Sequence, residues 1–180
     1  MKLILKILFN SLLIISLSGC AFQNLDDYAN EKPSFNLQRF FDGNTTGYGI
    51  VQDRSGSVTK RFVVEIVGEF NENEGTLDEQ FKWSDGKTEQ RIWKLKKLNS
   101  TQWIGTADDV VGEAIGTISG NTLKWEYILK LPLDNGSVNV KFDDWMYLVD
   151  EKVLMNKAQF SKFGFVLGEV TLSFIKASNL

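Results

Sequence analysis

The stretch "TLKWEYILKLP", residues 122–132, puts Leu123, Trp125, Tyr127, Leu129 and Leu131 on one face and Thr122, Lys124, Glu126, Ile128 and Lys130 on the other. Side chains of an extended chain alternate between faces, so this period of two marks a strand with one dry side. The pattern recurs. In "RFVVEIVGEF" the residues Phe62, Val64, Ile66 and Phe70 share a face, and in "TLDEQFKW" Leu77, Phe81 and Trp83 do. Weaker versions run through "QRIWKLKKL", "QWIGTAD", "GEAIGTIS", "SVNVKF", "WMYLVD", "VLMNKAQFSKF" and "GEVTLSFIK".

Turn chemistry punctuates these runs at Arg54-Ser55-Gly56, Asn73-Glu74-Gly75, Asp85-Gly86, Ser119-Gly120-Asn121 and Asp134-Asn135-Gly136. Asp-Gly and Asn-Gly are strong hairpin signals because they tolerate the positive φ of tight turns. After Gly43 no long helical period interrupts the strands. The spacing predicts an all-β antiparallel up-and-down meander of about 8–10 strands. Such a sheet hides its dry face by rolling into a lipocalin-like or fatty-acid-binding-like barrel, with a two-sheet β-sandwich as the alternative. A membrane-spanning barrel is rejected, because outward positions at mid-strand carry Lys and Glu.

Upstream, "SFNLQRFFDG" predicts one short helix, capped by Ser34, with Leu37, Phe40 and Phe41 on its apolar side and Gly43 as its stop. The polar residues 21–33 before it, with Pro33, read as a tether.

The start of the chain obeys different rules. Lys2 and Lys6 precede an aliphatic run, Ile7 to Leu17, that is too short to span a bilayer comfortably and has the form of a signal-peptide core. It ends in Leu17-Ser18-Gly19-Cys20, which resembles the bacterial lipobox, at whose cysteine a diacylglycerol is attached before the leader is cut away. Cys20 is the chain's single cysteine. The expected organisation is a leader at 1–19, a lipid-anchored tether at 20–33 and one barrel domain at 34–180. Ala21 and Phe22 follow the cysteine, without the Asp that retains such proteins at the inner membrane. The expected address is the periplasm-facing leaflet of the outer membrane, with the membrane as a partner through the anchor.

Charge narrows the function. The formal net charge is −3, and losing Lys2 and Lys6 with a leader makes the remainder more acidic. The densest basic cluster, Lys94-Leu95-Lys96-Lys97, reads as a solvated strand face, and nucleic acid is not an expected partner. There is no histidine, and the only thiol is the expected acylation site, so Ser-His-Asp and Cys-nucleophile machinery is ruled out. No metal site and no cofactor are expected. Asp108-Asp109 and Asp143-Asp144 cannot act as neighbouring pairs on a strand, and Asp108-Asp109 reads as a turn.

Polar residues on the expected inner face are the informative ones. Glu79 shares a face with Leu77, Phe81 and Trp83; Glu89 and Arg91 share theirs with Trp93 and Leu95. The Ser84-Asp85-Gly86-Lys87 hairpin would bring Glu79 and Arg91 close together, as a register-locking ion pair or as a site. In the second reading Arg91 anchors an acidic head group in a pocket lined by Phe81, Trp93, Trp125 and Tyr127. "DDWMYL" forces a choice between an outward Trp145 and a buried Asp144; a buried Asp144 becomes a further ligand-binding candidate, with Asn156 and Lys162 as its potential partners.

The runs "GYGIVQDRSGSVTKRFVVEIVGEF", "GTLDEQFKWSDGKTEQRIWKL", "GTADDVVGEAIGTISGNTLKWEYILKLP" and "FDDWMYLVDEKVLMNKAQFSKFGFVLGEVTLSF" together resemble the DUF3833 family of uncharacterised proteobacterial lipoproteins. The resemblance spans the chain beyond the tether. It implies a lipoprotein address, brings no assigned activity, and leans toward a lipid-related role through the family's genomic company. Three functions are carried forward: a module binding a lipid or small apolar molecule, ranked first; an assembly accessory acting through its surface; and a barrel enzyme on lipid-like substrates using Glu79, Asp144 or Tyr127, ranked last.

Overall fold

A computed structural model describes residues 23–133 and 135–177. The leader, Cys20 and Asp134 of the fifth hairpin cue lie outside the described residues. Ten strands follow in order: β1 (Gly43–Asp53), β2 (Val58–Phe70), β3 (Glu74–Trp83), β4 (Thr88–Lys97), β5 (Gln102–Thr106), β6 (Ala114–Ser119), β7 (Thr122–Leu133), β8 (Gly136–Leu148), β9 (Val153–Lys162) and β10 (Phe165–Lys176). Each pairs antiparallel with the next, and β1 pairs with β10 from Thr45↔Lys176 to Asp53↔Gly168, which closes an up-and-down barrel. Every strand has a paired neighbour on both sides, although part of β4 and β7 is flanked by a loop, and the sandwich alternative falls.

The inner face is the one the alternation predicts. Phe62, Val64 and Ile66 of β2, Leu123, Trp125, Tyr127 and Leu129 of β7, and Val140 and Phe142 of β8 are all buried. Small residues make room for the largest rings. A Cβ on Gly116 would lie 2.2 Å from the Trp125 ring, and one on Gly105 2.7 Å from it. β5 and β6 contribute little bulk where Trp125 fills the space.

One end is plugged. The short helix α1 (Leu37–Phe41) tucks Leu37, Phe40 and Phe41 into the barrel, with Phe35 beside them. Burying these four side chains is worth about 1.5–3 kcal/mol each. The helix is shorter than expected and its cap differs: the Asn36 side chain, not Ser34, accepts from the Arg39 N–H at 2.9 Å. At its far end, Lys176 Nζ donates to the carbonyls of Phe40 (2.9 Å) and Asp42 (2.6 Å). The Phe41 carbonyl approaches so closely that a Cβ on Gly68 would lie 1.9 Å from its oxygen. Phe41 also meets Phe174 edge-on, with centroids 5.5 Å apart.

Within the segment read as a tether, Leu25–Tyr28 forms a single 3-10 turn. Tyr28 packs on the outer faces of Trp145 and Tyr147, at centroid separations of 6.2 and 5.6 Å. Gln23 bonds the hydroxyls of Tyr28 and Tyr147. The polar stretch is therefore laid against the wall of the barrel near the plugged end.

The opposite end carries the β1–β2, β3–β4, β5–β6, β7–β8 and β9–β10 connections. Here β5 and β6 are short, and β4 pairs with β5 only through Lys94–Lys97. The space beyond them, between β4 and β7, is filled by residues 107–113. That loop is stitched to β7 by a Val110↔Leu129 bridge, by Val111 N–H donating to the Ile128 carbonyl and by Lys130 N–H donating to the Asp109 carbonyl, both at 2.8 Å.

Candidate functional site

The barrel is hollow between plug and mouth. A cavity of about 370 Å³ runs from Leu37 and Phe41 at the bottom to Lys60, Glu89 and Leu131 near the rim. Its size lies within the roughly 300–1,000 Å³ of small-molecule sites. Aromatic rings form much of the wall. Trp125, Trp93, Tyr127, Phe142 and Phe160 make a continuous series, edge-on from Trp125 to Tyr127 and stacked from Tyr127 onward, with centroids 5.1–5.8 Å apart. Across the cavity, Phe81 and Trp83 of β3 stack at 12°.

Glu79 and Arg91 are cross-strand partners in the β3–β4 hairpin, as the turn predicts, with Nη1 3.6 Å from Oε2. The tighter partner of Arg91 is Asp109. Its Oδ2 lies 2.8 Å from Nη2 and 2.9 Å from Nε, and its Oδ1 lies 3.1 Å from Nε. The guanidinium also lies 5.5 Å from the Phe81 ring centre. The sequence reads Asp108-Asp109 first as a turn or cap, with a metal or catalytic role ranked below, and does not place Asp109 beside Arg91. The missed signal was the shortness of β5 and β6, which leaves a hole in the wall that the loop must fill and so turns Asp109 inward. The guanidinium expected to receive an acidic head group thus has its fork occupied by the chain itself.

Asp144 of β8 is buried, and Tyr127 Oη donates to its Oδ2 at 3.4 Å. Trp145 faces outward under Tyr28, so "DDWMYL" resolves in favour of a buried carboxyl. Asn156 of β9 is buried on the same wall, whereas Lys162 ends that strand with its ammonium 5.1 Å from the Phe163 ring centre. All seven candidates, Glu79, Phe81, Arg91, Trp93, Trp125, Tyr127 and Asp144, therefore line the one cavity, joined by Asn156. Asp143, facing outward, instead pairs with Lys124 at 3.7 Å. Among the described residues, no group of three or more His, Cys, Asp or Glu is placed to hold a metal ion.

Burial shapes the protonation of this interior. Loss of water raises the Glu79 carboxyl to about 7, against the pull of Arg91. It raises Asp144 further, to about 8, against the hydrogen bond from Tyr127. The Tyr127 hydroxyl is pushed well above its ordinary value by burial and by Asp144. Burial acts against the charge on Arg91, but Glu79, Tyr127 and Asp109 more than offset it and hold the guanidinium firmly protonated. Three carboxyl groups thus share one permanent cation.

A family model, described as "Protein of unknown function (DUF3833)", matches residues 14–176. The chain belongs to the DUF3833 family. No curated protein matches this DUF3833 chain in sequence. Among solved structures it is similar to the S-type phycobiliprotein lyase CPES from Guillardia theta, with a TM-score of 0.60 at 7% identity over 88% of this chain and 100% of that one. It is also similar to Rv2717c from M. tuberculosis, with a TM-score of 0.58 at 14% identity over 83% of this chain and 100% of the other. At such identities the likeness is one of fold.

Proposed function

We propose that this DUF3833 protein is a lipid-anchored binding module of the bacterial envelope that holds one small, largely apolar molecule inside its barrel. The observation that carries the reading is the cavity: an aromatic wall with few polar groups, two of them carboxyls that burial has driven toward their neutral forms. A core built only for stability would fill such a space at close-packed density. The barrel shared with CPES, a phycobiliprotein lyase, is compatible with an enclosed ligand and specifies none. The lipobox-like ending at Cys20 supports the anchor, and Ala21 and Phe22 support the outer membrane.

Native mass spectrometry of the gently purified chain, before and after solvent extraction, tests this. A bound species that extraction removes and lipid analysis identifies supports a carrier or binding role. A clean unliganded mass that persists after challenge with fatty acids, phospholipids and neutral apolar molecules defeats it.

A second reading rests on its own observation. The β9–β10 tip exposes Phe163 (88%) and Phe165 (70%) at the mouth end. Exposed aromatics at a hairpin tip suit an accessory that works through contact with another surface. Replacing both with Ser and comparing envelope pull-downs distinguishes this reading, since cavity occupancy should not change.

A further inference from the structure

The polar atoms of the cavity fall into two sets. The Arg91 fork is filled by Asp109, and Asp144 Oδ2 receives Tyr127. Three polar atoms of the cavity have no hydrogen-bond partner among the described residues: Glu79 Oε2, which faces Arg91 Nη1 at 3.6 Å, and Asp144 Oδ1 and Asn156 Nδ2, whose residues are only 7% and 4% exposed and line the cavity. Buried donors and acceptors in native proteins are nearly always paired, so an unpaired couple facing an enclosed space marks a place for the polar edge of a ligand or for an ordered water. The two are diagonal neighbours: Asp144 stands opposite Ala158 and Asn156 opposite Met146 in the β8–β9 ladder. Diagonal backbones lie about 7–8 Å apart. The small Ala158 leaves the space in front of Asp144 open.

We propose that Asp144 and Asn156 recognise the amide edge of a flat, uncharged, apolar ligand, its N–H donating to Asp144 Oδ1 and its neighbouring C=O accepting from Asn156 Nδ2. This deepens the binding function proposed above and rests on it. Charge argues for an uncharged group. Deep in the cavity Glu79 and Asp144 face one cation, Arg91, whose fork is already occupied by Asp109 of the 107–113 loop, so an anionic head group meets carboxyls and no free guanidinium. Flatness follows from the walls, where Tyr127, Phe142 and Phe160 stack on one side and Phe81 and Trp83 on the other.

Tricyclic probes with one skeleton test the proposal: phenanthridinone, which carries the N–H and C=O edge; its N-methyl derivative; phenanthrene; and phenanthrene carboxylate. Trp83, Trp93 and Trp125 line the cavity, so quenching of tryptophan fluorescence in the full chain reports binding. A site built around hydrogen bonds rejects analogues that lack them, so phenanthridinone should bind at least about tenfold tighter than each of the others. Asp144→Leu and Asn156→Leu should each erase that preference, bringing phenanthridinone and phenanthrene to within about twofold of one another. Asn156→Leu removes an unpaired group, whereas Asp144→Leu also frees the Tyr127 hydroxyl and is therefore made beside Asp144→Leu/Tyr127→Phe; an unchanged near-UV circular dichroism spectrum verifies the fold of each. Equal or tighter binding of the carboxylate or the N-methyl compound, or a preference that survives Asp144→Leu, overturns the amide inference and leaves the cavity function standing. If no tricycle binds while native mass spectrometry shows an apolar ligand, the amide inference alone falls; if neither method finds a ligand, both fall.

Discussion

Glu79 and Arg91 stand directly opposite one another on β3 and β4, yet the closest carboxylate to Arg91 is Asp109, at 2.8 Å against 3.6 Å for Glu79. The hairpin delivers one carboxylate by register, and a loop stitched to β7 delivers the other. The guanidinium therefore ties β3, β4 and the 107–113 loop together on the inner face.

Replacing only the cation exposes the cost of that arrangement. Arg91→Met strands two carboxyls and should destabilise the fold by about 3–5 kcal/mol. The triple change Glu79→Gln, Arg91→Met, Asp109→Asn should recover most of the loss, because no buried charge is left unmatched. Urea unfolding reads both; equal losses in the single and triple variants would contradict the ion-pair account.

Stability should fall with rising pH. The folded chain holds the Asp144 and Glu79 protons up to about 8 and 7, whereas the ordinary values are 3.8 and 4.5. Between these limits the folded state binds more protons than the unfolded one, so the slope of stability against pH is negative. The contribution is intact below about pH 4 and is lost as pH rises through 7 and 8. Asp144→Asn should flatten the decline and gain about 1–3 kcal/mol at the alkaline end. Urea midpoints measured across this range decide it; a variant that keeps the parental slope would falsify the assignment to Asp144.

Ala158 sits opposite Asp144 with its methyl at the cavity wall. Ala158→Phe should occupy the space and remove any species seen by native mass spectrometry. Because the cavity accepts the ring, the thermal midpoint should change less than for overpacking of a filled core, which costs about 1–3 kcal/mol. Loss of folding instead of loss of ligand would argue that the wall is already close-packed.

Gly68 is the floor on which α1 rests. Gly68→Ala places a methyl on the Phe41 carbonyl and should displace the plug, at a cost of about 1–3 kcal/mol. Hydrogen exchange should accelerate in residues 36–42 while β7 and β8 stay protected. Uniform acceleration across the barrel would show that the plug and wall unfold as one unit.

Cys20 is expected to carry the anchor. Growth with labelled palmitate should label the parent chain, and Cys20→Ser should abolish labelling and release the protein from membranes. Membrane retention of the Ser variant would remove the lipidation reading.

Architecture was legible in the sequence because strand alternation is a local property. "TLKWEYILKLP" declares its inner face without reference to any partner, and the turn cues set which strand follows which. The Glu79–Arg91 pairing was legible for the same reason, since a short hairpin fixes register. The cap of α1 was misassigned by two residues because Ser34 and Asn36 both suit an N-cap. Only the path of the chain into the barrel selects Asn36.

Tertiary structure decided the rest. Whether ten strands close into a barrel or split into two sheets depends on β1 reaching β10, a pairing between segments far apart in sequence. The inward turn of Asp109 depends on where β5 ends relative to β4 and β7, which no local pattern encodes. The unpartnered state of Asp144 Oδ1 and Asn156 Nδ2 is likewise a property of the enclosed space, because a polar atom lacks a partner only with respect to everything that surrounds it. Local periodicity determined which residues face inward; closure determined what they meet there.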